Sequence, residues 1–465
     1  MSNTIHEHMR ALPAVDVVLR APAAEELARR YGREAVADAV RQALDASRAL
    51  IRAGETLPAD SLEARTIVAT AAKALESASR PKLRRVVNAT GIILHTGLGR
   101  AVMPDAAREA LGRVTGFCNL QQDLHTGQRD LREDCLRDLV RELTGAEEVL
   151  VVNNNAGATF LVLAALARGK EAVVSRGELI EIGGSFRLPD IMRESGAILR
   201  EVGTTNKTHL RDYESAAGPQ TGLILKAHKS NYRIIGFTKE VSIAEIAAVG
   251  HKHGVPVVDD IGSGALVGLE AYGLQHEGTV RESVAAGADI VLFSTDKLIG
   301  GPQGGMIVGR KDLLDRIRAH PLYRVLRVCK LTLGALEATL RLFKAPDLLA
   351  TSHPVYRMIA RTPVEMEMQA IELKRRILAA RPDWDVTVSK ETSFLGGGSL
   401  PEEGMPSFAV RIDPRPLAPD EAARRFRQAP TPVIPRVADG RLILDMRTTA
   451  PDEMDCILEA VACVH

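Results

Sequence analysis

The sequence predicts an α/β protein: a large domain built on a parallel sheet wrapped by helices, with a helical domain before it and a small α+β lobe after it. Three observations carry that prediction. From about residue 86, short β-branched and aliphatic runs alternate with helical stretches, the pattern of strands buried on both faces. About eighty residues before that point are Ala-rich and show helical spacing only. The last hundred or so carry strands and helices that no longer alternate in the same way.

Taken in order, residues 1–80 form the helical domain. Leu27, Tyr31, Val36, Val40 and Leu44 recur at helical intervals, and a second helix is expected over 61–77, after Pro58. Acids and bases balance there and no residue carries chemistry, so dimer packing or partner binding are its available roles. In the large domain, 81–345, strands are expected at 149–152, 172–175, 197–202, 222–226, 255–259 and 288–294. A helix to Ala167 follows Asn153-Asn-Asn-Ala-Gly-Ala, and another covers 243–253. In the lobe, 346–465, strands are expected at 384–388, 407–412 and 441–446, with helices at 419–428 and 451–464.

Composition narrows the function classes. The longest apolar run, 160–167, is far below the roughly 18–20 residues of a membrane span. Met1-Ser-Asn-Thr-Ile-His-Glu-His has neither a basic start nor an apolar core, so no signal peptide is expected. Five cysteines form no C-x-x-C pair and suit a reducing compartment, which makes the cytoplasm the expected location. A net charge of +1 excludes a surface that is basic throughout. Two stretches are nonetheless basic without any acid: 81–100, with Lys82, Arg84, Arg85 and Arg100, and 316–330, with Arg316, Arg318, Arg324, Arg327 and Lys330. Walker, H-E-x-x-H and G-x-S-x-G motifs are absent. His251-Lys-His253 lacks acid or Cys partners at ligand spacing, so the histidines read as surface residues and no metal is expected.

The chemistry concentrates in Ser294-Thr-Asp-Lys-Leu-Ile-Gly-Gly-Pro-Gln-Gly-Gly, at the carboxyl end of an apolar strand, where open α/β sheets place their ligands. A lysine flanked by glycines there suits a Schiff-base lysine, and the S-x-x-K spacing lets the serine hydroxyl meet a phosphate. An earlier strand ends in Val257-Val-Asp-Asp-Ile-Gly-Ser-Gly, which offers a carboxylate for a pyridinium nitrogen. Asn154-Asn-Ala-Gly-Ala-Thr opens a helix whose first amides suit a phosphate. Phosphate loop, acid and lysine in that order along one alternating sheet point to a pyridoxal-phosphate enzyme of the aspartate aminotransferase fold type.

Arg85-Val-Val-Asn-Ala-Thr-Gly-Ile-Ile-Leu-His-Thr-Gly-Leu-Gly-Arg, Ser175-Arg-Gly-Glu-Leu-Ile-Glu-Ile-Gly-Gly-Ser-Phe-Arg, Lys226-Ala-His-Lys-Ser-Asn-Tyr, Asp260-Ile-Gly-Ser-Gly and Asp296-Lys-Leu-Ile-Gly-Gly-Pro-Gln-Gly-Gly resemble the bacterial selenocysteine synthase family. The resemblance is dense from about residue 80 to 345 and extends over the whole length in layout. It implies a transferase that replaces the β-hydroxyl of serine on seryl-tRNA(Sec) with selenium from selenophosphate, using pyridoxal 5′-phosphate. Lys297 matches the Schiff-base lysine and the base for the α-proton. Asp260 matches the acid on the pyridine nitrogen, with Asp259 as the second choice. Asp296 matches an acid that assists proton transfer or the leaving hydroxyl. Ser294, Asn155, Ala156 and Gly157 match the phosphate cradle, and His228 a contact to the ring. Arg100, Arg324 and Arg327 fall where the family binds the phosphate of the donor, a task suited to a planar guanidinium. The resemblance further implies a homo-oligomer, a ring of dimers such as a decamer, with Gly300 and Gly301 against a neighbour's cofactor phosphate and the N-terminal domain on the tRNA.

Three other readings compete. A pyridoxal lyase of a small amino acid or amino sugar phosphate shares the core motifs, but has no need of an eighty-residue helical domain. A non-catalytic tRNA scaffold would not keep Lys297 and Asp260. In an aminotransferase, Arg447 of the small lobe would bind a substrate carboxylate; a tRNA ester has none, so the role of Arg447 stays open.

Overall fold

Strands covered on both faces need nearly continuous apolar side chains, and several segments of this chain meet that need. The computed structural model describes residues 2–55, 57–183, 186–398 and 403–464. Among them the strands in chain order are β1 (Val87–Ala89), β2 (Glu148–Val152), β3 (Glu171–Ser175), β4 (Glu181–Ile182), β5 (Phe186–Arg187), β6 (Ile198–Val202), β7 (Thr221–Ala227), β8 (Val257–Gly262), β9 (Ile290–Ser294), β10 (Gly305–Gly309), β11 (Asp385–Phe394), β12 (Gly404–Asp413), β13 (Val433–Ala438) and β14 (Arg441–Asp445). Seven of them build the main sheet in the order β2-β10-β9-β8-β7-β3-β6.

Six of these run parallel, as the pattern predicts. β10 is the exception, antiparallel to both β2 and β9, so the sheet is mixed. The physical reason is the short turn after β9: a chain that reverses within ten residues must come back antiparallel. Gly305 at its start is required by close packing, since a Cβ there would lie 2.3 Å from the carbonyl oxygen of Asn154.

Alternate side chains of each strand enter two cores. Val149, Val151, Val291, Phe293, Met306 and Val308 pack with Leu333, Leu336 and Leu340 of the helix Lys330–Leu342 on one face. Leu150, Val152, Ile290, Leu292 and Ile307 pack on the other against Ala158, Leu161 and Val162 of the helix Asn155–Leu166. Each full burial of such a side chain contributes about 1.5–3 kcal/mol. The result is a stiff sheet whose strands β2, β7, β8 and β9 all end along one edge.

The lobe is a five-stranded sheet, β1-β13-β14-β12-β11. Two of its strands, β1 and β13, were not anticipated from the sequence. β1 pairs in parallel with β13, Val87 opposite Val433, which ties the start of this unit to its end. Trp384, Val410, Phe426, Leu444 and Ile457 form its core. The chain divides into two compact units, one ending at Arg85 and one beginning at Val86. Lobe and main sheet share the second unit because β1 carries the chain through the lobe before the main sheet begins.

The first unit is helical. Helices Pro22–Tyr31 and Arg33–Arg52 are separated by Gly32 at φ 89°, and Ala64–Ser79 follows. Val36, Val40, Leu44, Ile67 and Val68 form its core. Among the described residues no helix is long and apolar enough to cross a membrane.

Candidate active site

After Ser294 the chain turns inside the protein, with Thr295, Asp296 and Lys297 all buried. Buried backbone must find partners, and here the turn supplies its own. The Thr295 N–H donates to Gly304 at 3.0 Å, Gly300 to Lys297 at 2.9 Å and Gly301 to Thr295 at 2.9 Å. Gly300 adopts φ 67°, and a Cβ there would lie 2.1 Å from the His353 ring, so only glycine closes this turn. The Leu298 N–H reaches the carbonyl of Ser263 at 3.2 Å, fastening the lysine turn to the end of β8.

That end of β8 presents Asp260. Asn155 Nδ2 donates to its Oδ1 at 2.8 Å, Thr159 Oγ1 to its Oδ2 at 3.0 Å and the Gly262 N–H to its Oδ1 at 3.1 Å. Burial pushes its carboxyl up, against the downward pull of Asn155, Thr159 and Lys297. Gly262 leaves room for the lysine, whose Nζ lies 3.8 Å from where a Cβ on Gly262 would sit. Burial pushes Lys297 down toward the neutral amine, and Asp260 opposes this more than any other surrounding charge. The His228 N–H donates to the Asp260 carbonyl at 2.9 Å, and burial lowers the His228 ring as well.

A further pair closes the site. Arg100 Nη1 donates to Asp296 Oδ2 at 2.8 Å, from a residue held at φ 63°, where a non-glycine costs about 1–2 kcal/mol. These groups line a cavity of about 550 Å³. Four of its side chains hold buried polar atoms without a partner: Asn155 Oδ1, His228 Nδ1, Ser230 Oγ and Asp296 Oδ1. Unsatisfied polar atoms gathered on one cavity signal a polar ligand. An amine, a carboxylate at a neighbouring strand end and the start of a helix fit pyridoxal 5′-phosphate.

Comparison with known proteins settles the family. Residues 86–450 match the L-seryl-tRNA selenium transferase model, and residues 9–48 match the model of the selenocysteine synthase N terminus. The chain is 44% identical over 448 residues to the L-seryl-tRNA(Sec) selenium transferase of Carboxydothermus hydrogenoformans, covering 96% of each. It is 47% identical to that of Methylocella silvestris, again over 96% of each. The chain belongs to the L-seryl-tRNA(Sec) selenium transferase family. In fold, it overlays on a solved D-glucosaminate-6-phosphate ammonia-lyase with a TM-score of 0.56 at 20% identity, covering 82% of this chain and 96% of the other. The chain is pyridoxal-phosphate-dependent by its family and shares the fold of this ammonia-lyase, so the lyase reading retains only that shared fold.

Of the residues singled out in the sequence, Lys297, Asp296, Asp260, Ser294, Asn155, Ala156, His228 and Arg100 all line the cavity. Four others do not. The Gly157 N–H is engaged by the Asn154 side chain, which caps the helix at 2.8 Å, so Gly157 has no free amide for a phosphate. Asn155 lends its side chain to Asp260 and leaves only its backbone for that purpose. Gly301 is buried in its own chain, its amide bonded to Thr295 at 2.9 Å, and a Cβ there would lie 3.3 Å from Leu336. Arg324 and Arg327 lie beside the helix start, where Leu326 accepts the Asn153 N–H at 3.0 Å, but outside this chain's cavity. Asp259 faces away and accepts from Ser283, so Asp260 alone of the two carboxylates meets the lysine. Arg447 is buried, donating to the carbonyls of Met358, Ile359 and Pro406, so it serves as a strut. Sequence reasoning passed over Thr159, Ser230 and Gly397–Gly398, which reach the site from a helix interior and two loops. Only Thr159, one helical turn after Asn155, carried a usable signal.

Proposed function

We propose that this cavity binds pyridoxal 5′-phosphate between Lys297 and Asp260 and processes the seryl group of L-seryl-tRNA(Sec). The overall reaction is the family's: L-seryl-tRNA(Sec) becomes L-selenocysteinyl-tRNA(Sec), the β-hydroxyl being replaced by selenium from selenophosphate. When bound, the cofactor supplies the sink for the electron pair left by the departing α-proton. The convergence of Lys297 and Asp260 at adjacent strand ends, in a cavity rich in unpartnered polar atoms, carries the reading.

The chain's own residues divide the work. Lys297, held toward its neutral form by burial, takes the α-proton. Asp260, oriented by Asn155 and Thr159, stabilises positive charge on the ring nitrogen. His228, kept neutral by burial, offers its ring face and the free Nδ1. Arg100 occupies one oxygen of Asp296, which leaves Oδ1 to hydrogen-bond the departing hydroxyl. The helix-start amides of Asn155 and Ala156, with Ser294, receive the cofactor phosphate. Arg100 is this chain's cation for the donor phosphate, while Arg324 and Arg327 serve the cavity of a second copy in a homo-oligomer. The N-terminal unit holds the tRNA, and the enzyme works in the cytoplasm.

The visible spectrum of the purified protein tests this reading. Seryl-tRNA(Sec) should change the cofactor absorption where free serine does not, and Lys297→Ala should lack a borohydride-reducible band. A band that ignores the charged tRNA and responds to a small amino compound would favour lyase chemistry. An absent band in wild type, with pyridoxal phosphate supplied, would sink the assignment of Lys297.

A further inference from the structure

We infer that Phe237 and the cations around it form a landing surface for the unpaired 3′ end of the acyl-tRNA, an inference that rests on the site reading above. Phe237 is 88% exposed and Ile235, two positions before it, 81% exposed, an unusual pair of bare apolar side chains. The backbone beneath them is nonetheless tied down. The Thr208 N–H donates to Lys239 at 2.9 Å, the Lys239 N–H to Asn206 at 3.0 Å, and Asn206 Nδ2 to the Phe237 carbonyl at 2.7 Å. Lys207 Nζ stands 5.8 Å from the centre of the Phe237 ring. Lys207, Arg233 and Lys239 are exposed, and none makes an ion pair among the described residues. Of the acids near them, Glu240 is paired with Lys229, and Glu245 is held by the Ser242 N–H and hydroxyl.

Arg233 connects this surface to the neighbourhood of the cavity that holds Lys297. Asn231 lines that cavity and is anchored by its Nδ2 to the Glu181 carbonyl at 2.8 Å. Two residues on, Arg233 lines an adjoining cavity of about 930 Å³, which shares Ala227 and His228 with the first. The seryl ester sits on the terminal ribose, so the last nucleotides of the substrate must lie at this mouth when the serine reaches Lys297. Each unpaired nucleotide brings a base with a π face and one phosphate. An exposed aromatic ring on a tethered backbone, among unpaired cations, is what such a strand binds, without any need to read its sequence. A two-fold contact between copies of this patch would instead set its cations against one another.

Phe237→Ala, measured in the full-length holoenzyme, should raise KM for seryl-tRNA(Sec) about 5- to 100-fold. The visible cofactor band and the sedimentation coefficient should stay as in wild type, and Phe237→Trp should restore KM. Lys207→Ala/Arg233→Ala/Lys239→Ala should reduce the log–log salt slope of seryl-tRNA(Sec) binding by about 2. An unchanged KM in Phe237→Ala overturns the inference, as does a rise in KM accompanied by loss of assembly mass, which would assign the patch to a subunit interface. A wild-type protein inert toward seryl-tRNA(Sec) would sink the site reading itself, whereas an active wild type with an indifferent Phe237→Ala sinks only this inference.

Discussion

Asp259 and Asp260 are one step apart on β8, and the pleat sends their side chains to opposite faces of the sheet. Asp260 enters the cavity with Lys297; Asp259 is buried on the other side, held by Ser283, and burial pushes it up to about 6. This folded value lies above the free-chain value of 3.8, so protonation favours the fold. The contribution is fully present below about pH 3.8 and is lost as pH rises through about 6, a range worth about 3 kcal/mol in total. Asp259→Asn removes the titration. Its stability relative to wild type should therefore improve by about 1–2 kcal/mol between pH 5 and pH 8, read from urea unfolding midpoints. A gap that stays level across that range would show that Asp259 does not titrate there. Strand alternation already told the two residues apart in the sequence, and the D-x-G-S-G spacing chose Asp260. The same reasoning could not foresee that Asn155 would turn to Asp260, because their contact spans 105 positions of chain.

At the scale of elements, the helix Asn155–Leu166 and the turn after β9 build the site, and both were visible as a strand end followed by Asn, Gly or Lys. β10 was not. Of its five residues, Gly305–Gly309, only the first belongs to the glycine-rich segment singled out in the sequence, and pairing with β2 and β9 makes them a strand. The short helix Pro321–Leu326 presents Arg324, with Arg327 as its cap, outside the cavity of its own chain. Arg129 and Arg132 are close enough to Arg327 to lower it, after the effect of burial, which marks a concentration of positive charge suited to an anionic donor. If these arginines act on a neighbour's cavity, Lys297→Ala subunits co-assembled with Arg324→Ala/Arg327→Ala subunits should recover selenium transfer that neither parent shows. Mixed assemblies as inactive as both parents would return the arginines to their own chain.

The whole molecule divides at Arg85, and each side has its own apolar core. A protein lacking residues 1–85 should accordingly stay folded and keep its visible cofactor band while losing affinity for tRNA(Sec), as measured by filter binding. Undiminished affinity would assign the helical unit to assembly instead. The lobe offers no such cut, because β1 is paired with β13 across almost the full length of the second unit.

The sequence by itself determined the alternation of strands and helices, the strand ends that carry chemistry, and the family. Those features follow from local patterns of side-chain size, polarity and glycine placement, which act over a few residues. Tertiary structure alone decided which candidates meet. It brought Asn155 and Thr159 to Asp260, joined Arg100 to Asp296, buried Gly301 beneath Leu336 and kept Arg324 and Arg327 out of the cavity. The physical reason is that such contacts depend on strand order and on the direction of each turn, and the packing that sets both involves residues far apart in the chain.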